Sequence, residues 1–397
     1  MGYRRIDSSL GLVVLLAAAV TFAPAPAAGD DNKPLGALRK KLAGRFDTLV
    51  GDPKSYRARV SRECGRFPEG DIFPYTFPAI AYANLALSDP GRRKDALDRI
   101  PDLLVSAIAS TAAKVKPPGG KLERLKSYRN HATYLGQLNM ALGYYRLIGG
   151  DDRYRAINRA ISNVLHKALV ELEGRPLESF PTYSWTFDTI AALVSLKLYD
   201  LSTGKGRSDA VIRKHLEWMS KRAIHKPTGL PYSRINNATA RGTALPRGCD
   251  LSLRISLIAH LDAPLSKTMY DAYVKAFWID RKIVSGFAEW PGGRAGKQDA
   301  DSGPILMGIG MTASGMGLAA AASTGDTRRA ARLAGQTVAF KSLMRQIIVM
   351  QPRARTKLTL GGKIDPSSDY VTGFLYGDIC LFYALTWQAL PKKSLRP

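Results

Sequence analysis

What most limits the fold of this chain is a recurrence of unusually apolar, small-residue-rich helical segments, each led in by a loop carrying aromatics and one acidic or polar residue. The segments begin near Asp71, His131, Asp188, Asp250, Asp301 and Tyr370, at intervals of roughly 50 to 70 residues. Self-similarity on this scale marks repeat architectures, in which one unit cannot bury its own apolar face and must stack on its neighbours. Each interval holds two helices and two loops. Between the apolar segments lie more polar ones, Leu103–Lys114, Ala156–Glu173, Ala210–Arg222 and Leu265–Trp278. A helix apolar all round is buried on all sides, whereas an amphipathic one buries a single stripe. Six such hairpins predict an all-α chain arranged as an (α/α)6 toroid, with the apolar helices as inner ring. An open α-solenoid is the structural alternative.

Helical spacing of apolar residues extends through Thr76–Leu87, Thr133–Leu147, Thr189–Tyr199, Leu251–Leu261, Leu306–Ala321, Thr327–Ile348 and Val371–Trp387, and alternating strand-like runs are scarce. No low-complexity linker divides residues 34–397, which read as one domain. Residues 1–28 read as a secretory signal peptide. Arg4 and Arg5 precede the apolar run Leu10 to Phe22, and small residues then offer a cut near Ala27 or Ala28. That run is short of the roughly 20 residues needed to span a bilayer, and no later stretch is apolar for long enough. The expectation is an exported chain, periplasmic or secreted, with no transmembrane span after cleavage.

Lys and Arg number 58 against 33 Asp and Glu, a formal charge of +25. The basic residues are dispersed and carry no nucleic-acid signature, so nucleic acid is not an expected partner. In an exported chain they make a solvated basic surface or attract anionic envelope polymers. Cys64, Cys249 and Cys380 are too few for a disulfide scaffold and form no CxxC pair. The five histidines lack metal-ligand spacing, and neither a metal nor a cofactor is expected.

If the inner helices run parallel, their N-terminal ends meet at one mouth, and Asp71, His131, Asp188, Asp250, Asp299, Asp301 and Tyr370 gather there. Tyr183-Ser-Trp-Thr-Phe-Asp188 places aromatics and a carboxylate before one inner helix; Arg247-Gly-Cys-Asp250 repeats the arrangement, and so does Gln298-Asp-Ala-Asp301, preceded by Glu289 and Trp290. A carboxylate at a helix start ordinarily caps free N–H groups. Several converging on one mouth suit acid–base chemistry, because carboxylates in different surroundings supply an acid and a base near neutral pH. Asp188 with Asp250 or Asp301, and Asp299 beside them, are the catalytic candidates. Tyr183, Trp185, His131, Trp290, Glu289, Tyr232, Arg247 and Tyr370 are the substrate-binding candidates. Arg129, Arg234 and Arg247 either hold an anionic substrate group or pair with these acids. Gly308 to Gly315 has the wrong spacing for a dinucleotide fingerprint and reads as close packing inside a helical run. Cys249 reads as a buried structural cysteine, with a nucleophilic role as the alternative.

In Phe77 to Pro90, Tyr134 to Tyr145, Ala191 to Asp200, Asp299 to Gly303 and Phe374 to Leu385, the chain resembles the linalool dehydratase/isomerase-like family of (α/α)6 proteins. The resemblance implies lyase or isomerase chemistry. Two catalytic cysteines of the dehydratase align with Ser179 and Asp188, and its histidine with Gln137, so its thiol-assisted route is not carried over. Its Asp and Tyr find no match. The leading expectation is an exported general acid–base enzyme on a hydroxylated substrate, a small molecule or a glycan. Cleavage of envelope glycans by paired carboxylates is the second reading, and a non-catalytic envelope binding protein the third.

Overall fold

The structure is a computed structural model and describes residues 32–65, 71–281, 284–293, 296, 298–299, 301–337 and 369–392. The signal peptide expected over 1–28 and the helix expected beyond 337 lie outside the described residues. Helices dominate: α1 Asn32–Val50, α2 Pro53–Cys64, α3 Phe73–Ser88, α4 Arg93–Val115, α5 Ala132–Leu147, α6 Arg155–Leu172, α7 Thr186–Thr203, α8 Asp209–Arg222, α9 Gly248–Ile258, α10 Ala263–Phe277, α11 Met311–Ser323 and α12 Leu375–Leu385. A further helical run covers 327–337. Among the described residues no helix is long and apolar enough to cross a membrane.

Two kinds of helix alternate, for the reason their composition gives. Every residue of α5 is buried, and α3 is buried from Phe73 to Ala86. By contrast α6 buries one stripe, including Asn158, Ile161, Leu165 and Leu169, at the three-and-four spacing of an amphipathic helix. The apolar helices touch in sequence order: α3 on α5, α5 on α7, α7 on α9, α9 on α11, α11 on α12, and α12 back on α3. The amphipathic helices pack outside them, α4 against α3 and α5, α6 against α5 and α7, and α10 against α9. Where the two ends of the described chain meet, Phe46 of α1 stacks on Phe382 at 4.6 Å. Phe77 stacks on Tyr383 at 4.5 Å, and Arg45 reaches Asp378 at 3.5 Å.

Glycine sets the closest of these approaches. A Cβ on Gly136 would lie 3.2 Å from the Ala192 nitrogen and 3.3 Å from the Asp188 carbonyl oxygen, and one on Gly143 would lie 2.8 Å from Leu198 Cβ. Two glycines on one face of α5 therefore let α7 come close enough for Thr133 to reach Asp188.

The loops hold short antiparallel strands that periodicity does not reveal, since two or three residues leave no alternation to read. β1 Tyr183–Trp185, β4 Arg234–Asn236 and β5 Gly242–Ala244 form one sheet, with Trp185 opposite Arg234 and Tyr183 opposite Asn236. β2 Ile224–His225 pairs with β3 Leu230–Pro231, and β6 Trp278–Asp280 with β7 Ser285–Phe287. The helix expected from Leu306 instead begins at Met311. Residues before it form a hairpin, β8 Ile305–Leu306 and β9 Ile309–Gly310, turned at Met307 and Gly308 with positive φ of 53° and 85°. Gly308 thus serves a turn that glycine tolerates at no steric cost, and only the later part of the Gly308–Gly315 stretch is helical.

Candidate active site

The starts of the six apolar helices surround one cavity of about 100 Å³. Each contributes to its wall: Phe73 and Phe77 from α3, Thr133 from α5, Phe187 and Asp188 from α7, Cys249, Asp250 and Leu253 from α9, Thr312 and Met316 from α11, and Tyr376 and Cys380 from α12. Trp185, Arg247 and Asp301 come from the loops that lead into them. At on the order of 10–15 Å³ per water this is room for several waters or one compact organic molecule.

Asp188 is the third residue of α7 and only 1% exposed. It does not cap its helix. Its Oδ2 accepts from the Thr133 hydroxyl at 2.6 Å, while Oδ1 has no hydrogen-bond donor among the described residues. Burial pushes this carboxyl up to about 7. The nearby Ser179 and Thr133 hydroxyls oppose the rise, and the charges of Asp250 and Asp301 add to it. No arginine or lysine pairs with it among the described residues.

Asp250, the third residue of α9, has opposite surroundings. Its Oδ2 accepts from Ser233 Oγ at 2.5 Å and from Arg254 Nη2 at 2.7 Å, and again no backbone N–H is capped. Burial raises its carboxyl, and Arg254, Ser233 and Arg247 oppose that. Arg254 is itself fully buried and also donates to the Pro231 carbonyl at 3.2 Å. A guanidinium does not give up its proton in a protein, so Asp250 is the carboxylate held ionised. Asp301 stands exposed on the cavity wall. The surrounding protein and Asp299 raise its carboxyl, and Arg247 lowers it.

Below Arg247 lies a buried brace. Glu289, with no exposure, accepts from Arg247 Nε at 2.7 Å, from the Cys249 backbone N–H at 3.1 Å and from Cys249 Sγ at 3.1 Å. Glu289 is therefore the carboxylate that caps α9, from a loop 40 residues away. Burial and Glu289 push the Cys249 thiol well above its ordinary range, with Arg247 opposing. Asp299 accepts from Arg247 Nη2 at 2.8 Å and from the Ser302 N–H at 3.0 Å. Burial acts to raise its carboxyl, but Arg247 prevails and holds it low.

Of the residues expected at the mouth, the structure brings Asp188, Asp250, Asp301, Trp185 and Arg247 onto the cavity wall. Glu289 and Asp299 act from behind, through Arg247. Trp290 lies beneath the Arg247 guanidinium at 5.2 Å, and Tyr183, two strand positions before the wall residue Trp185, stacks on Arg234. The remaining candidates are turned elsewhere. His131 precedes α5 without capping it, and Tyr232 packs edge-on against His225. Asp71 accepts from the Tyr134 hydroxyl. Tyr370 is buried away from the cavity wall, its hydroxyl accepting from Arg59 Nη1 at 2.8 Å and donating to Glu63 Oε2 at 3.0 Å, both on α2.

Sequence reasoning missed Phe77, Thr133, Phe187, Leu253, Thr312, Met316 and Cys380 as wall residues, and read Cys249 as structural with a nucleophilic role as the alternative. Their signal was present as pairs four residues apart in the first turns: Phe73 with Phe77, Cys249 with Leu253, Thr312 with Met316, Tyr376 with Cys380. That spacing puts two side chains on one face of a helix. In α5 the corresponding pair is Thr133 and Gln137, the latter fully buried with neither amide atom partnered among the described residues. Ser179 accepts the Trp185 N–H at 2.9 Å and so holds the loop that carries Trp185.

No protein-family model matches the chain, and no curated protein matches its sequence. Among the described residues no three His, Cys, Asp or Glu side chains are grouped to hold a metal ion.

Proposed function

We propose that this is a general acid–base enzyme of lyase or isomerase type that acts on a compact hydroxylated substrate, built as an (α/α)6 toroid and exported. The cyclic order of helix contacts supports the ring, and the leader-like residues 1–28 support export. One observation carries the chemistry: two carboxylates share a cavity in opposite electrostatic settings, Asp188 with no cation beside it among the described residues and Asp250 bound to Arg254. Environments that push two such groups apart assign acid and base.

In this reading Asp188, protonated up to about pH 7, delivers its proton to the departing hydroxyl. The C–O bond breaks and its electron pair leaves with water. Asp250, through the Oδ1 that no donor among the described residues occupies, removes a proton from the adjacent carbon, whose C–H electrons form the new double bond. Positive charge developing on carbon is met by the aromatic walls, Phe73, Phe77, Phe187 and Trp185. Run backwards, the same groups hydrate a double bond, and the two together move one. The small, largely apolar cavity favours a compact alcohol over a glycan chain. Against a purely structural role stands Asp188, which does not cap its helix and pairs with no cation among the described residues.

The test follows proton traffic, so the natural substrate need not be known beforehand. The protein is incubated in deuterated water with small tertiary and allylic alcohols, and loss of water and deuterium uptake on carbon are followed by mass spectrometry and NMR. Turnover is expected, and Asp188→Asn should lower it by roughly 10²–10⁴-fold, the usual worth of a positioned proton donor. Turnover unaffected by Asp188→Asn, or none with any compact alcohol, overturns the reading.

A further inference from the structure

Two arginines flank Trp185 and differ in what neutralises them. The Arg247 guanidinium lies 6.0 Å from the Trp185 ring and 5.2 Å from that of Trp290, and its charge is taken up by Glu289 and Asp299. The Arg234 guanidinium lies 5.6 Å from Trp185 and 5.1 Å from Tyr183. Its Nε donates to Thr243 Oγ1 at 3.0 Å, and no carboxylate neutralises it among the described residues. Arg234 is thus a cation fixed in orientation by two rings and one hydroxyl, with both terminal nitrogens left over. The register of the small sheet explains the arrangement, since Trp185 and Arg234 are direct cross-strand partners. Trp185 lines the cavity and Arg234 does not, so the part-exposed guanidinium lies just outside the cavity, 5.6 Å from one of its wall rings.

We infer that Arg234 is the recognition site for an oxyanion, a carboxylate or phosphate, carried by the hydroxylated substrate. A guanidinium with a free edge suits such a planar or tetrahedral acceptor through paired, charge-assisted hydrogen bonds. Polarity within the site then sets the substrate's direction. The interior holds Asp250 and Asp301, which repel an anion, whereas the rim offers the unneutralised cation. The oxyanion stays outside at Arg234 and the hydroxyl enters toward Asp188. The chain's formal charge of +25 draws such ligands in from a distance. The direction of binding rests on the acid–base reading, but oxyanion recognition by Arg234 is tested by binding alone.

The probes are 3-hydroxy-3-methylbutanoate, its neutral amide, and 3-hydroxy-3-methylbutyl phosphate, measured by calorimetry against wild type, Arg234→Met and Arg234→Lys. The wild type should bind at least one oxyanion probe about tenfold tighter than the amide, the scale of one charge-assisted contact. The margin should shrink with added salt, fall to about one in Arg234→Met and persist in part in Arg234→Lys. Whichever oxyanion gains more identifies the substrate's charged group. No oxyanion preference in the wild type, or one that survives Arg234→Met, overturns the inference. The salt titration needs no variant and stands if a variant fails to fold. If Asp188→Asn abolishes turnover while Arg234→Met leaves the preference intact, only this inference falls. The reverse pattern removes the acid–base reading and leaves the oxyanion site.

Discussion

Asp188→Asn should remove a pH dependence from the protein's stability. In the folded protein this carboxyl titrates near 7 instead of its ordinary 3.8, because burial disfavours its charge. A group whose pKa is raised on folding gives its full stabilisation below the unfolded value, and loses it as pH rises through the folded one. The window here is therefore about pH 4 to 7. Roughly three pKa units correspond to about 4 kcal/mol, and for a chain of this size that is a shift of roughly 5 °C in Tm. Asparagine keeps the acceptor for the Thr133 hydroxyl and carries no charge to bury, so its curve lacks this component. Calorimetric melts of both proteins from pH 4 to 8.5 give the difference curve, in which other titrating groups largely cancel. The wild type should lose ground to the variant steadily across the window and level off above about pH 8. A difference curve flat with pH would mean that Asp188 is ionised at neutrality, and the assignment of the acid would be refuted.

Arg254→Met strands the Asp250 charge and should cost about 3–5 kcal/mol in urea unfolding; the loss should shrink on acidification, as Asp250 takes up a proton, and be relieved by adding Asp250→Asn. Glu289→Gln removes the charge that braces Arg247 and raises the Cys249 thiol. It should destabilise by about 3 kcal/mol and speed alkylation of Cys249, followed by mass spectrometry at fixed pH. Turnover of the active alcohol should fall as pH rises through about 7, when Asp188 loses its proton, and fall at acid pH when Asp250 gains one. A profile without the alkaline limb would contradict the proton-donor role.

Much of the frame was readable in the chain. Alternation of all-apolar with striped segments locates α3 and α5 to α10 to within a few residues, because the burial each helix needs is written in its own composition, whereas α4 begins at Arg93, ten residues before the start expected at Leu103. The convergence of Asp188 and Asp250 follows from their shared position in the first turns of apolar helices, and Asp301 joins them from the loop ahead of α11. The other wall residues were hidden by the same property that revealed their helices. In a helix buried on every side, Phe77, Met316 and Cys380 look like any other core residue, and no polar face marks which side meets a cavity. Glu289 was legible as an acid but not as a brace, since its partners Arg247 and Cys249 lie about 40 residues earlier. Tyr370 and Tyr376 could not be ranked by type alone. One is held by Arg59 and Glu63, and the other lines the cavity.

The clasp between α1 and α12 has a consequence for how the protein comes into being. Among the described residues Phe46 and Tyr82 have an aromatic partner only once Phe382 is in place, and the stack on Phe77 is completed by Tyr383. The cavity likewise takes Phe73 from one end of the chain and Tyr376 from the other. Contacts this distant in sequence exact their loop-closure entropy before they return any stability, which makes such folds slow to form. A product that stops short of α12 therefore has no partial site and shows aromatic surface along α1 and α3. The packing of α12 on α1 and α3 thus serves as the chain's own test of completeness.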